Sequence, residues 1–129
     1  MNSSRELNVL LVEDSPVIRG LITEVLGELA GVRLTNSVET EEDAVAAVRD
    51  GGVDVVILDL QLRIGTGFGV LRSLRQMDHR PDVVVFTNFA LSTYRDTALE
   101  LGAAHFLDKS RDYDRLPDIL TDIVKARAS

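Results

Sequence analysis

The sequence has no cysteine among its 129 residues, so no disulfide, thiol nucleophile or cysteine-ligated metal enters its chemistry. It has two histidines, His79 and His105, and they do not stand at metal-ligand spacing, so both are expected to be structural or solvent-exposed. A basic block is missing too. With 14 basic residues against 21 acidic ones the net charge is −7, which argues against nucleic acid as a direct partner, because phosphate contacts need Lys and Arg. Long apolar runs are absent as well. The opening MNSSRELNVLLVED holds only Val9 to Val12 with Leu7 nearby, too short for a signal peptide or a membrane span. The expectation is a soluble cytoplasmic protein, not inserted in a membrane, that meets other proteins or binds a cation. No internal repeat, low-complexity tract or linker divides the chain.

What is present suits one domain over residues 1–129, with a core from about Leu7 to Ala126: 45% of residues are hydrophobic and 27% charged. Short β-branched runs occur at 7–12, 32–37, 53–58, 82–87 and 103–107. Stretches of helical spacing lie between them. The first repeats Val17, Ile18, Leu21, Ile22, Val25, Leu26 and Leu29. The second has a small-residue face, Ala44, Val45, Ala47 and Val48, closed by Gly51 and Gly52. A third runs from Phe68 to Met77, and a fourth from Ser92 to Leu101, ended by Gly102. Pro117 fits only a first turn, so the last helix is expected to start near Asp114 to Leu116. Five strands alternating with five helices predict an α/β fold, (βα)5, with a doubly wound parallel sheet between two helical layers.

In such a sheet reactive groups gather at the C-terminal strand ends. The third run, DVVILDLQL, ends on Asp59, a costly place for a charge unless something compensates it. Strand 1 delivers Glu13 and Asp14, strand 4 delivers Thr87 and Asn88, and strand 5 is followed by Asp108 and Lys109. Three carboxylates together need a cation among them. Oxygen donors without Cys or clustered His favour Mg²⁺ over zinc.

LLVEDS, VVILDLQL, VVVFTN and HFLDKS, in this order and spacing, resemble the signature segments of response-regulator receiver domains of bacterial two-component signalling. The resemblance covers about Leu7 to Ala126 and implies a flavodoxin-like sheet of strand order 2-1-3-4-5. It implies that Asp59 is the phosphoacceptor, taking a phosphoryl group from a histidine kinase or phosphotransfer protein. Glu13, Asp14, Asp59 and the backbone carbonyl of Gln61 match the groups that organise Mg²⁺. Lys109 and Thr87 match the pair that holds phosphoryl oxygens, and Thr87 and Phe106 the switch residues. The implied output is a change in the protein-binding face of helix 4, strand 5 and helix 5, where Tyr94 and Tyr113 are expected to be exposed. A homodimer through that face is a further expectation; the downstream target is not named by the sequence.

Four positions depart from the common family pattern. Arg63 stands where proline is usual, within LRIGTGFG, whose Gly65, Gly67 and Gly69 suggest a mobile loop. Ser110 follows Lys109 where the family has a cis proline. A cis bond before serine costs about 3–4 kcal/mol, so the loop either bears that strain or takes a trans path that places Lys109 differently. Gln61 and Phe89 occupy the places that tune dephosphorylation, and an apolar Phe89 suggests slow loss of the phosphoryl group. Asp108 reads as a surface charge. No effector domain follows Ser129, and KARAS is too short for a linker, so a stand-alone regulator that is not an enzyme is expected. The alternatives are a degenerate receiver serving as a phosphorylation-independent scaffold and a haloacid-dehalogenase-type phosphohydrolase. The second lacks a carboxylate at Gln61. A flavin carrier is poorer still, without Trp or a Ser/Thr-rich phosphate loop.

Overall fold

Val55, Val56, Ile57 and Leu58 are all buried, as a strand covered on both faces requires. In the computed structural model, which describes residues 6–128, this is the middle strand of five. Residues 1–5 and Ser129, where the single-domain expectation begins and ends, lie outside the described residues. The elements in chain order are β1 (Leu7–Val12), α1 (Pro16–Gly27), β2 (Val32–Val38), α2 (Glu41–Arg49), β3 (Val55–Leu58), α3 (Gly67–Leu74), β4 (Asp82–Thr87), α4 (Ser92–Glu100), β5 (His105–Asp108) and α5 (Arg115–Ala128). The strands are parallel in the order β2-β1-β3-β4-β5. The flavodoxin-like doubly wound sheet is therefore the fold.

Side-chain alternation splits the core in two. Leu10, Val12, Val56, Leu58 and Val85 face Ala44, Val48, Val70, Leu71, Leu74 and Ala98 of α2, α3 and α4. Val9, Leu11, Ile57, Phe86 and Leu107 face Ile22 and Leu26 of α1 and Leu116 and Leu120 of α5. The chain winds outward from β1 to β2 and then returns across β1 to β3, so the winding reverses between β1 and β3. That switch point places the residues after Val12 and Leu58 side by side.

Hydroxyl side chains start three of the helices. Ser15, Thr40 and Thr66 accept from Ile18, Asp43 and Gly69 N–H groups, satisfying donors that a helix N-terminus leaves free. Leu91, the residue before α4, makes no such side-chain bond. Gly102, at φ +107, ends α4 in a conformation that side chains rarely adopt.

Boundaries differ slightly from expectation. β3 begins at Val55 rather than 53, because the Asp54 carboxylate takes the Asn8 N–H (2.8 Å) in place of a ladder bond. β5 begins at His105 rather than 103, because the Ala103 N–H closes the end of α4 on the Ala98 carbonyl. It runs one residue further, to Asp108. α5 starts at Arg115, with Pro117 in its first turn as its geometry demands. Val17 and Leu21 follow the apolar period of α1 yet stay exposed, at 71% and 45%. Among the described residues no helix is long and apolar enough to cross a membrane.

Candidate functional site

Glu13 and Asp14 follow β1, Asp59 follows β3, Thr87 ends β4 and Lys109 follows β5, so all five reach the same end of the sheet. Main-chain bonds fix their starting points: Glu13 N–H donates to the Val38 carbonyl, Asp59 N–H to Val12 and Lys109 N–H to Thr87. One oxygen from each of Glu13, Asp14 and Asp59 lies within 4.8 Å of the others. Glu13 and Asp59 are buried and Asp14 is half-buried.

Lys109 Nζ reaches 2.6 Å from Glu13 Oε1 and 2.9 Å from Asp59 Oδ2. The remaining oxygens are used as well. Glu13 Oε2 accepts the Ser15 N–H at 3.0 Å, and Asp59 Oδ1 accepts the Gln61 N–H at 3.2 Å. Burial raises the Glu13 carboxyl above the usual range, and the Lys109 and Ser15 donors only partly offset it. Burial pulls the Lys109 ammonium down, but hydrogen bonds to Glu13 and Asp59 outweigh that and leave it raised. Lys109 is thus held protonated by the acids it bridges.

Three carboxylates against one ammonium leave two negative charges when all are ionised. A divalent cation matches that deficit, and an oxygen-only donor set suits a hard ion of the Mg²⁺ type. The residues present therefore fit the ion expected from the sequence.

The β5–α5 loop reaches this arrangement without a cis bond, as none occurs among the described residues. Of the two expected alternatives the loop takes the trans path, and Lys109 Nζ lies on both Glu13 and Asp59. Asp108 ties this loop together. Its Oδ1 accepts both the N–H and the hydroxyl of Ser110 at 2.8 Å, while its own N–H donates to the Asp112 carboxylate at 3.0 Å. The Ser110 hydroxyl, then the Ser110 amide, hold the Asp108 carboxyl below the usual range. Asp108 is the surface charge expected, and its carboxylate also clamps the loop.

Of the glycine run only Gly65 lies in the loop before α3. Gly67 and Gly69 are buried in the first turn of α3. A Cβ on Gly67 would press into the Asp59 carbonyl and lie 2.8 Å from Leu60 Cα. Only glycine permits that approach of α3 to the site.

Thr87 is fully buried, and its Oγ1 accepts the Phe89 N–H at 3.1 Å. Phe106 is half-buried and packs on the α2–α4 side of the core. Phe89 is 41% exposed and meets Tyr94 edge-on at 6.4 Å; Tyr94 in turn meets Phe68 at 5.9 Å. Tyr113 contradicts the expectation of exposure: it is half-buried, its ring 6.1 Å from Phe86. The Gln61 side chain is exposed while its main chain faces Asp59.

Sequence reasoning missed a chain of charges beside the site. Arg19 donates to the Glu13 carbonyl at 3.2 Å and pairs with Glu39 at 3.0 Å, and Glu39 pairs with Arg63 at 3.3 Å. It also missed Glu41, whose carboxylate accepts the Thr66 N–H at 3.0 Å. The glycine run was the available sign of Glu41, since small residues there leave room for a neighbour.

Comparison with known proteins gives one family. Residues 9–121 match the response regulator receiver domain. Among curated proteins, a protein-glutamate methylesterase/protein-glutamine glutaminase of Paramagnetospirillum magneticum is 33% identical over 95% of this chain and 34% of its own length. A transcriptional regulatory protein of Bacillus subtilis, MalR, is 26% identical over 90% of this chain and 49% of its own. The chain thus spans about a third to a half of these relatives. Among solved structures, a LuxR-family two-component response regulator from Aurantimonas sp. SI85-9A1 superposes with a TM-score of 0.85 at 25% identity, covering 94% of this chain and 86% of that one. The receiver domain of a sensor histidine kinase from Pseudomonas aeruginosa PAO1, which holds a magnesium ion in its active-site cleft, superposes with a TM-score of 0.81 at 28% identity over 93% and 98%.

Proposed function

The chain belongs to the response regulator receiver domain family, and on that premise we propose that it is a phosphorylation-driven switch of two-component signalling. Asp59 accepts a phosphoryl group from a histidine kinase or phosphotransfer protein. The observation that carries this reading is the cluster of Glu13, Asp14 and Asp59 at one end of the sheet, with Lys109 bridging the buried Glu13 and Asp59.

An Asp59 carboxylate oxygen attacks phosphorus in line with the donor's P–N bond; that bond breaks and an acyl phosphate forms. Little covalent chemistry falls to the protein, so the task is positioning and charge. Lys109 pairs with Asp59 and stands where it can hold a phosphoryl oxygen. Glu13, Asp14, Asp59 and the Gln61 carbonyl would hold Mg²⁺, which when bound neutralises charge developing on the transferring group.

Thr87 couples the site to the surface. Its hydroxyl is engaged with the Phe89 N–H, and turning toward a phosphoryl oxygen releases that amide and the loop before α4. Phe106 then moves into the space beside Thr87, and the face of α4, β5 and α5 changes for a downstream protein or a second copy of the chain. The phosphoryl group favours this packing only through contacts it makes better there. Phe89 and Gln61 line the approach of the hydrolytic water, and the apolar Phe89 makes phosphoryl loss slow. Self-phosphorylation and self-dephosphorylation are the only turnovers.

The test is incubation with Mg²⁺ and acetyl phosphate followed by intact-mass measurement, with Asp59→Asn alongside. One added phosphoryl group, dependent on Mg²⁺ and absent in the variant, is expected. An equal gain in the variant overturns the assignment of Asp59.

A further inference from the structure

The geometry points to Glu41 as a positioning residue for the phosphorylation site: its carboxylate, lodged against Gly65 and Gly69, fixes the β3–α3 loop and through it the main chain of Gln61 that faces Asp59. This inference rests on the receiver chemistry proposed above.

The chain of contacts is continuous. Residues 39–41 and 63–66 run side by side as a short added ladder. Arg63 N–H donates to the Glu39 carbonyl at 3.3 Å, Glu41 N–H to the Ile64 carbonyl at 3.1 Å, and Thr40 pairs with Ile64. This brings the Glu41 side chain onto the start of α3, where its Oε1 accepts the Thr66 N–H at 3.0 Å. Thr66 is bridged to Gln61 across the loop, and the Gly67 N–H closes the loop on the Leu60 carbonyl at 2.9 Å. The Gln61 N–H then donates to Asp59 Oδ1. Three steps, Glu41 to Thr66, Thr66 to Gln61 and Gln61 to Asp59, thus connect α2 to the phosphoacceptor.

The glycines give the second, independent observation. A Cβ on Gly65 would lie 2.5 Å from Glu41 Cβ and 2.7 Å from its Oε1, and a Cβ on Gly69 would overlap all three carboxylate atoms. Two glycines of the run therefore make the room that Glu41 fills, and the third admits Asp59. A negative charge on a helix N-terminus also suits the unpaired N–H groups there. Thr66 fills its own cap with its hydroxyl (on Gly69 N–H), which leaves its main-chain N–H for Glu41.

The experiment uses the full chain without metal and with Mg²⁺ alone. Amide exchange at Gln61 is read in the metal-free protein, and Mg²⁺ affinity by calorimetry. Glu41→Ala is expected to speed Gln61 exchange and to weaken Mg²⁺ binding about 10-fold, the low end for a group supporting metal ligands. Glu41→Gln keeps an acceptor oxygen without its charge and is expected to fall between wild type and alanine. Gly69→Ala expels the carboxylate, so it should reproduce Glu41→Ala and add nothing in the double variant; it also serves should Glu41→Ala fold poorly. Unchanged Gln61 exchange and Mg²⁺ affinity in Glu41→Ala and Gly69→Ala, with a wild type that binds Mg²⁺, overturn this inference alone. A wild type that binds no Mg²⁺ overturns the receiver chemistry and this inference with it.

Discussion

The connections that leave the Asp59 strand and its neighbour β4 lead into helices of one layer, yet they are built oppositely. β3–α3 is tied down. Thr66 caps the helix, Glu41 holds the Thr66 amide, and α3 buries Gly67, Gly69, Val70, Leu71 and Leu74. β4–α4 is not. Leu91 gives α4 no side-chain cap, Ala98 is its one buried residue, and Phe89, Leu91, Tyr94 and Leu99 are exposed. Its ties are the Phe89 N–H on Thr87 and a chain of tilted ring contacts through Phe68. Helix stability in proteins comes mainly from packing an apolar face, and α4 has little of one. The switch proposed above needs one part that stays and one that can be repacked at small cost, and the contrast suits α3 and α4 to those parts.

Lys109 joins the two flanks, its N–H on the Thr87 carbonyl and its Nζ on Asp59 and Glu13. Lys109→Ala leaves buried acids uncompensated, so urea unfolding without metal should show a loss of about 3 kcal/mol, partly recovered by Mg²⁺. An undiminished stability would mean the flanks are not joined there.

The sharpest contrast lies in paired truncations. Leu71→Ala in α3 should cost about 3 kcal/mol, the scale for deleting a buried leucine side chain. Leu99→Ala in α4 should stay within about 0.5 kcal/mol, as surface changes do. Equal losses would break the comparison. Smaller effects belong to the caps. Thr66→Ala should lower stability by about 1 kcal/mol, while Leu91→Ser, which supplies the missing cap, should raise it by about 0.5 kcal/mol. The sharper consequence of Leu91→Ser is a stiffer α4, read as slower amide exchange in its first turn.

Much of this was legible in the sequence for local reasons. Strand and helix follow from periods of two and three to four residues, and Pro117 marks the start of α5 because its ring tolerates only a first turn. Glu13, Asp14, Asp59, Thr87 and Lys109 could be placed together because a doubly wound sheet carries every strand end to one edge. The loops resisted because their geometry depends on partners far along the chain. Glu41 meets Thr66 across 25 positions, and the Arg19–Glu39–Arg63 chain joins α1 to two loops. Glycine was the ambiguous residue: the same letter marks freedom or close approach, and in GTGFG it marks approach. Asp108 could be placed at the surface, but its clamp on Ser110 depends on the path of the loop.

The most direct test of the contrast is amide hydrogen exchange across both helices before and after phosphorylation of Asp59. The account predicts about a tenfold or larger change in protection from Asn88 through Leu99, with Gly69 to Leu74 unchanged. A change shared equally by both helices, or confined to α3, would contradict it.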